Sequence, residues 1–142
     1  MMAEDCRDVL ILGLGTGTFA AQCLKYFPGC SVTGVEIDEK IVALSREYFG
    51  LPEEVEAVVG DGRAYLTDSG MYDVIMVDAY QDITIPFQMS SVEFFTEVRE
   101  HLEPGGVMVV NMSMRSESEG SMNEYLMDTI ASVFPYCATV KV

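Results

Sequence analysis

Basic side chains are scarce in this sequence: 8 Lys and Arg stand against 23 Asp and Glu over 142 residues, a formal net charge of −15. Affinity for nucleic acid or for an anionic membrane surface comes largely from Lys and Arg neutralising phosphates. The balance therefore argues against both partners and leaves a small neutral or cationic molecule as the better fit. Histidine is scarcer still. The single one, His101, stands at the end of an expected helix, where a cation suits the dipole, and it reads as structural. The four cysteines, Cys6, Cys23, Cys30 and Cys137, make no Cys-x-x-Cys pair, so neither a zinc site nor a disulfide framework is expected and no metal is assigned. Reduced thiols fit a cytoplasmic setting. No apolar run approaches the ~20 residues that span a bilayer, and the opening MMAEDCRD is acidic where a signal peptide is basic. With 49% hydrophobic residues the chain has material for one core, and 1–142 reads as a single domain.

What the sequence does have is concentrated first in Asp8 to Ala21, DVLILGLGTGTFAA. Val9 to Leu12 form a short unbroken apolar run, which suits a central strand of a parallel sheet covered on both faces. Gly13, Gly15 and Gly17 follow, and a helix opens near Thr18. Such a turn lets a ligand approach the main chain, where the free N–H groups of the helix start point at it. The dinucleotide fingerprint puts glycine at its first, third and sixth positions, and the sixth here is Thr18, so NAD is disfavoured. A tight turn without a ligand remains the plain alternative for this stretch alone.

Strand and helix then alternate. Helix is expected from about Thr18 to Phe27, strand over Val32 to Val35 and a helix capped by Asp38 with Ile41, Leu44 and Tyr48 on one face. Val55 to Val59 reads as strand, Ala64 to Thr67 as a short helical piece and Asp73 to Val77 as strand. Ala79 to Met89 has neither period and looks like an active-site loop. Ser90 with Glu93 makes a capping box for a helix bearing Phe94 or Phe95, Val98 and Leu102. Pro104-Gly105-Gly106 turns the chain into strand Val107 to Val110. Ser113 to Gly120 is polar, helix follows from about Ser121 to Phe134, and Ala138 to Val142 reads as a last strand. The alternation predicts an α/β, Rossmann-like fold: a mostly parallel sheet with helices on both faces.

In such sheets ligands bind beyond the carboxyl ends of the strands, near the point where strand order reverses. Four polar stations fall there: Gly13 to Gly17, Glu36, Asp61 and Asp78. Glu36 lies 23 residues after Gly13, where an acid can accept from a ribose diol, or can simply end a strand. Asp61 in GDGR suits an adenine edge, and equally suits a turn between glycines. Asp78 can hold an ammonium or take a proton from a nucleophile, or can bond its own backbone at the start of a loop.

GLGTGT, GVEID, GDGRAYL, YDVIMVDAY and LEPGGVMVVN, in this order, resemble the catalytic domain of spermidine synthase and its relatives within the S-adenosylmethionine-dependent methyltransferase fold, over about Val9 to Asn111. The resemblance implies a seven-stranded sheet that binds S-adenosylmethionine or its decarboxylated form. It puts Glu36 on the ribose and Asp61 at the adenine, with Gly13, Leu14, Gly15, Thr16, Gly17, Ile37, Gly62 and Asp78 as the other cofactor-binding residues; Asp78 is also the candidate base or ammonium holder, and Tyr80 a candidate substrate contact.

Two departures from the family pattern shape the expected chemistry. Aminopropyltransferases carry GGGDGG at the glycine turn and Asp-Ser-x-Asp after strand four; Thr16 stands at the first Asp and Gln81 at the later one, with Asp82 displaced by one. Those acids hold ammonium groups, so methyl transfer to a small-molecule acceptor is expected ahead of aminopropyl transfer. A cationic amine suits the acidic surface. The family's amino-terminal β-domain is not expected, and neither is a seventh strand. A domain belonging to a longer architecture is the reading, with an open sheet edge that allows a homodimer. A non-catalytic cofactor-binding or dimerising module is the rival, and a nicotinamide oxidoreductase the third reading.

Overall fold

The computed structural model describes residues 5–78, 87–112 and 122–140. Its spine is β1 (Asp8–Leu12), in which Val9, Leu10, Ile11 and Leu12 are at most 1% exposed. A strand so enclosed has to be apolar on both faces. The sheet has five strands in the order β3-β2-β1-β4-β5, with β2 (Ser31–Glu36), β3 (Glu56–Val59), β4 (Tyr72–Val77) and β5 (Leu102–Val110). Every neighbouring pair is parallel. Strand order runs outward from β1 through β2 to β3, then returns to the other side of β1 for β4. The reversal therefore falls between β1 and β4.

One face of the sheet packs Val9, Ile11, Val32, Val74 and Met76 against Ala20 and Cys23 of α1 (Thr18–Tyr26), with Leu51 and Val55 beside them. The opposite face packs Leu10, Leu12, Val35, Ile75 and Val77 against Leu66 of α3 (Gly62–Thr67), Phe94, Phe95 and Val98 of α4 (Val92–Glu100), and Leu126 and Val133 of α5 (Met122–Val133). Both phenylalanines of α4 are fully buried, where one was expected; they meet edge to face with centroids 5.3 Å apart. At the amino-terminal end of the sheet the Asp73 carboxylate accepts from the Arg7 and Asp8 backbone N–H groups, both at 2.9 Å, and ties β4 to the start of β1.

Local chemistry sets the helix starts. Asp38 caps α2 (Glu39–Tyr48) by accepting from Lys40 N–H at 2.9 Å. The cap of α4 is Ser91, which accepts from Phe94 N–H at 3.1 Å, one residue beyond the expected Ser90. Leu102, expected on α4, begins β5, and Pro104-Gly105-Gly106 lies within β5 as an irregularity between the Tyr72–Leu102 and Val74–Val107 pairings. His101 closes α4, its Nδ1 2.8 Å from the Gly70 carbonyl oxygen, in the structural role expected of it.

Two further expectations are corrected. Helix α2 buries only Ser45 completely, and its expected inward residues Leu44 and Tyr48 are 45% and 70% exposed. Residues 138–140, expected to begin a last strand, pair with none, and Val140 is 82% exposed. The described sheet thus has five strands, where six were expected with the family's seventh set aside. Among the described residues no helix is long and apolar enough to cross a membrane.

Candidate active site

The carboxyl ends of the strands are brought level by register. Leu12 pairs with Val35 and Val77, Glu36 with Val59, and Val77 with Val110. Each residue that follows therefore emerges on the same edge: Gly13, Ile37, Gly60, Asp78 and Asn111.

The glycine turn bends over the end of β2. Gly13 and Leu14 N–H both donate to the Val35 carbonyl, at 2.8 and 3.1 Å. Gly13, Gly15 and Gly17 have φ of 98°, 56° and 83°, a region that side chains with a Cβ rarely adopt. A Cβ on Gly15 would meet nothing within 4 Å, whereas one on Gly17 would run into the Leu51 side chain. Gly15 therefore presents bare backbone to open space, and Gly17 is small for packing. Leu14 is 5% exposed, its side chain seated against Gly34 in the core, so it offers a ligand its main chain only. Thr16 is exposed, its Oγ1 3.2 Å from Thr18 Oγ1.

Glu36 closes the turn from below. Its carboxylate is 9% exposed and accepts from Gly15 N–H at 3.0 Å and from Asp38 N–H at 3.3 Å. A buried charge requires such partners. Each oxygen retains acceptor capacity, since a carboxylate has about four lone-pair positions. Ile37 beside it is 58% exposed, an apolar side chain at the rim. Gly60 N–H donates to the Glu36 carbonyl at 3.0 Å, which draws Asp61 to the same edge. Asp61 caps α3 by accepting from Ala64 N–H at 2.9 Å, so the turn role weighed for it is real whatever else it does. A Cβ on Gly62 would lie 3.4 Å from Met89 Cε and 3.5 Å from Leu12 Cβ, close to the sheet.

On the other side of β1, Asp78 N–H donates to the Leu12 carbonyl at 2.8 Å, and Asn111 Nδ2 donates to Asp78 Oδ1 at 3.0 Å. Burial raises the Asp78 pKa above the usual carboxylate value; the Asn111 hydrogen bond opposes this, and the Glu36 charge adds to it. Two acids thus flank one glycine turn closely enough to feel each other. Asn111 was not among the expected site residues. The signal for it was positional, as the residue that ends a parallel strand. Tyr80, with Gln81 and Asp82, lies outside the described residues, as does most of the expected loop; its end, Phe87–Met89, is a 3₁₀ turn.

The glycine turn, the acid ending the second strand and the acid ending the fourth are the parts the resemblance placed around a nucleoside. A family profile described as the spermine/spermidine synthase domain matches residues 1–142. The chain belongs to this family. Membership extends the resemblance to the whole chain and sets aside the nicotinamide reading. Over 134 residues the chain is 63% identical to the "Probable polyamine aminopropyl transferase" of Bifidobacterium longum, covering 94% of this chain and 30% of that protein. Among solved structures, a probable spermidine synthase from Corynebacterium glutamicum matches with a TM-score of 0.82 and 28% identity, over 94% of this chain and 48% of that one. Human methyltransferase-like protein 13 in complex with SAH matches with a TM-score of 0.80 and 25% identity, over 95% and 66%. These likenesses establish the Rossmann-like methyltransferase fold. The chain spans about a third to a half of the length of the curated relatives it matches. The names of these relatives weigh for aminopropyl transfer, against the expected order that put methyl transfer first.

Proposed function

We propose that this chain is the nucleoside-binding and reaction-bearing domain of an aminopropyltransferase that takes decarboxylated S-adenosylmethionine and an amine acceptor. The observation that carries the reading is the 63% identity, over 94% of the chain, to a protein named for that activity. The geometry is compatible with the cofactor on three counts. Gly15 leaves open space above bare backbone, Glu36 keeps acceptor capacity beside it, and Asp78 stands across the turn. When bound, the cofactor supplies a carbon made electrophilic by a sulfonium, with a neutral thioether as leaving group.

In this reading Glu36 accepts from the ribose hydroxyls while continuing to hold Gly15. Ile37 covers the apolar face of the base, and Asp61 or the adjoining Gly62 backbone meets its edge. Asp78 accepts a hydrogen bond from the acceptor amine and takes its proton as the new N–C bond forms and the C–S bond breaks. A carboxylate whose pKa is raised by burial is a better base than one in water. The remaining task is alignment of nucleophile, carbon and sulfur, which a rigid strand edge can provide.

The test is product analysis by mass spectrometry on the polypeptide that carries this domain. With putrescine and decarboxylated S-adenosylmethionine, spermidine and methylthioadenosine should appear in equal amounts, and Asp78→Ala should lower kcat by roughly 10²- to 10⁴-fold. Absence of spermidine, with methylated amine formed from S-adenosylmethionine instead, would transfer the reading to methyl transfer. Thr16 is what favours that second reading, because an exposed hydroxyl stands where aminopropyltransferases carry an ammonium-holding acid.

A further inference from the structure

Asn111 ends β5, on the far side of β4 from the glycine turn. Its own N–H donates to the Val77 carbonyl at 3.1 Å, which fixes its backbone one step beyond the Val77–Val110 pairing. Its side-chain Nδ2 then reaches Asp78 Oδ1 at 3.0 Å. The direction of that bond is settled by chemistry: an ionised carboxylate only accepts, so the amide must present its NH₂ group. Asp78 is held at its own N–H by Leu12, so both its backbone and one carboxylate oxygen are fixed by neighbours on either side.

We propose that Asn111 is the positioning residue for Asp78, occupying Oδ1 so that Oδ2 is the oxygen offered to the acceptor amine. A free Asp side chain samples several rotamers, and a hydrogen bond from a rigid strand end selects one of them. The same bond stabilises the charged carboxylate against its burial. Among the described residues, Glu36 is the ionisable side chain whose charge acts on Asp78, and it acts in the opposite sense. Asn111 therefore balances a like-charge neighbour that Asp78 cannot escape. The role as an amine-orienting device rests on the aminopropyltransferase reading; the control of the Asp78 carboxylate does not.

The experiment compares the parent with Asn111→Leu, which keeps the size and removes the donor, and Asn111→Gln, which keeps the amide. The first readout needs no ligand. Carboxyl ¹³C NMR of aspartate-labelled protein, with Asp78 assigned by its disappearance in Asp78→Asn, should show Asp78 titrating at higher pH in Asn111→Leu than in the parent, and nearer the parent in Asn111→Gln. The second readout is kinetic. In Asn111→Leu, kcat should fall roughly 10- to 100-fold, the worth of one hydrogen bond to a charged group, with KM for the nucleoside cofactor within about two-fold and the acid-side limb of the pH profile moved to higher pH, because Asp78 must be deprotonated to act as the base. An unchanged Asp78 titration in Asn111→Leu overturns the proposal. If the parent transfers no aminopropyl group to any amine, the function reading falls while the NMR comparison still decides the role of Asn111.

Discussion

Replacing Glu36 by alanine probes the site where it is best defined. This carboxylate accepts from Gly15 N–H at 3.0 Å and Asp38 N–H at 3.3 Å while only 9% exposed. A hydrogen bond to a charged group contributes roughly 1.5–3 kcal/mol, and the longer bond to Asp38 belongs at or below the low end. Removing the acceptor also relieves the cost of burying a charge, which offsets part of the loss. The net destabilisation is therefore about 3 kcal/mol. At ~2.1 cal/mol/K per residue, unfolding entropy for 142 residues is ~0.3 kcal/mol/K, so Tm should fall by roughly 10 °C. Circular dichroism melts of ligand-free protein measure this directly. A Tm within about 2 °C of the parent would refute the clamp on the glycine turn.

The same variant separates the clamp from the ribose. Calorimetry would be run well below the lowered Tm, with methylthioadenosine and its 2′-deoxy analogue. In the parent, loss of the hydroxyl should weaken binding about ten-fold or more; in Glu36→Ala it should cost almost nothing, because its partner is already gone. Equal sensitivity in both proteins would remove Glu36 from the ribose and leave its structural role untouched.

The glycines should divide by mechanism. Gly15→Ala incurs the positive-φ cost of about 1–2 kcal/mol with no steric contact, yet it places a methyl group in the open space above the turn, so calorimetry should show nucleoside binding reduced far more than Tm. Gly17→Ala adds a collision with Leu51 to the same backbone cost and should melt lower than Gly15→Ala; the reverse order would contradict the packing assigned to the turn. Asp78→Asn gives a pH-dependent signature. Because the Asp78 pKa is raised in the folded chain, its contribution to stability is fully present below the unfolded carboxylate pKa of ~3.9 and is lost as pH rises through the raised value. Asparagine mimics the neutral form at every pH and can still accept from Asn111. Tm of Asp78→Asn should therefore exceed that of the parent at pH 7 and converge on it toward pH ~4, while a constant offset across that range would contradict the burial argument.

How far the sequence could be read follows from the range of the forces involved. The run Val9 to Leu12 announced a central strand because a strand covered on both faces has no polar alternation to confuse it. Asp38 was legible because a cap is decided by its next few backbone N–H groups. Ser90 and Ser91 were not separable locally, because either serine has a backbone N–H three residues on to accept from; the cap observed is Ser91. In α2 the apolar spacing pointed to Leu44 and Tyr48, which are exposed, while Ile41, Val42 and Ser45 are the residues turned inward, so residue type alone did not give the buried face.

The strand-end acids were visible as a set because every strand of a parallel sheet delivers its last residue to the same side. Pairing among those ends is another matter. The Asp78–Asn111 bond joins positions 33 apart, and its two residues meet only because β4 and β5 are neighbours in register. No local spacing encodes that adjacency. The same topology puts Glu36 and Asp78 on opposite sides of the β1 turn, so the electrostatic tension that burial imposes on Asp78 is a product of strand order, as is the amide that relieves it.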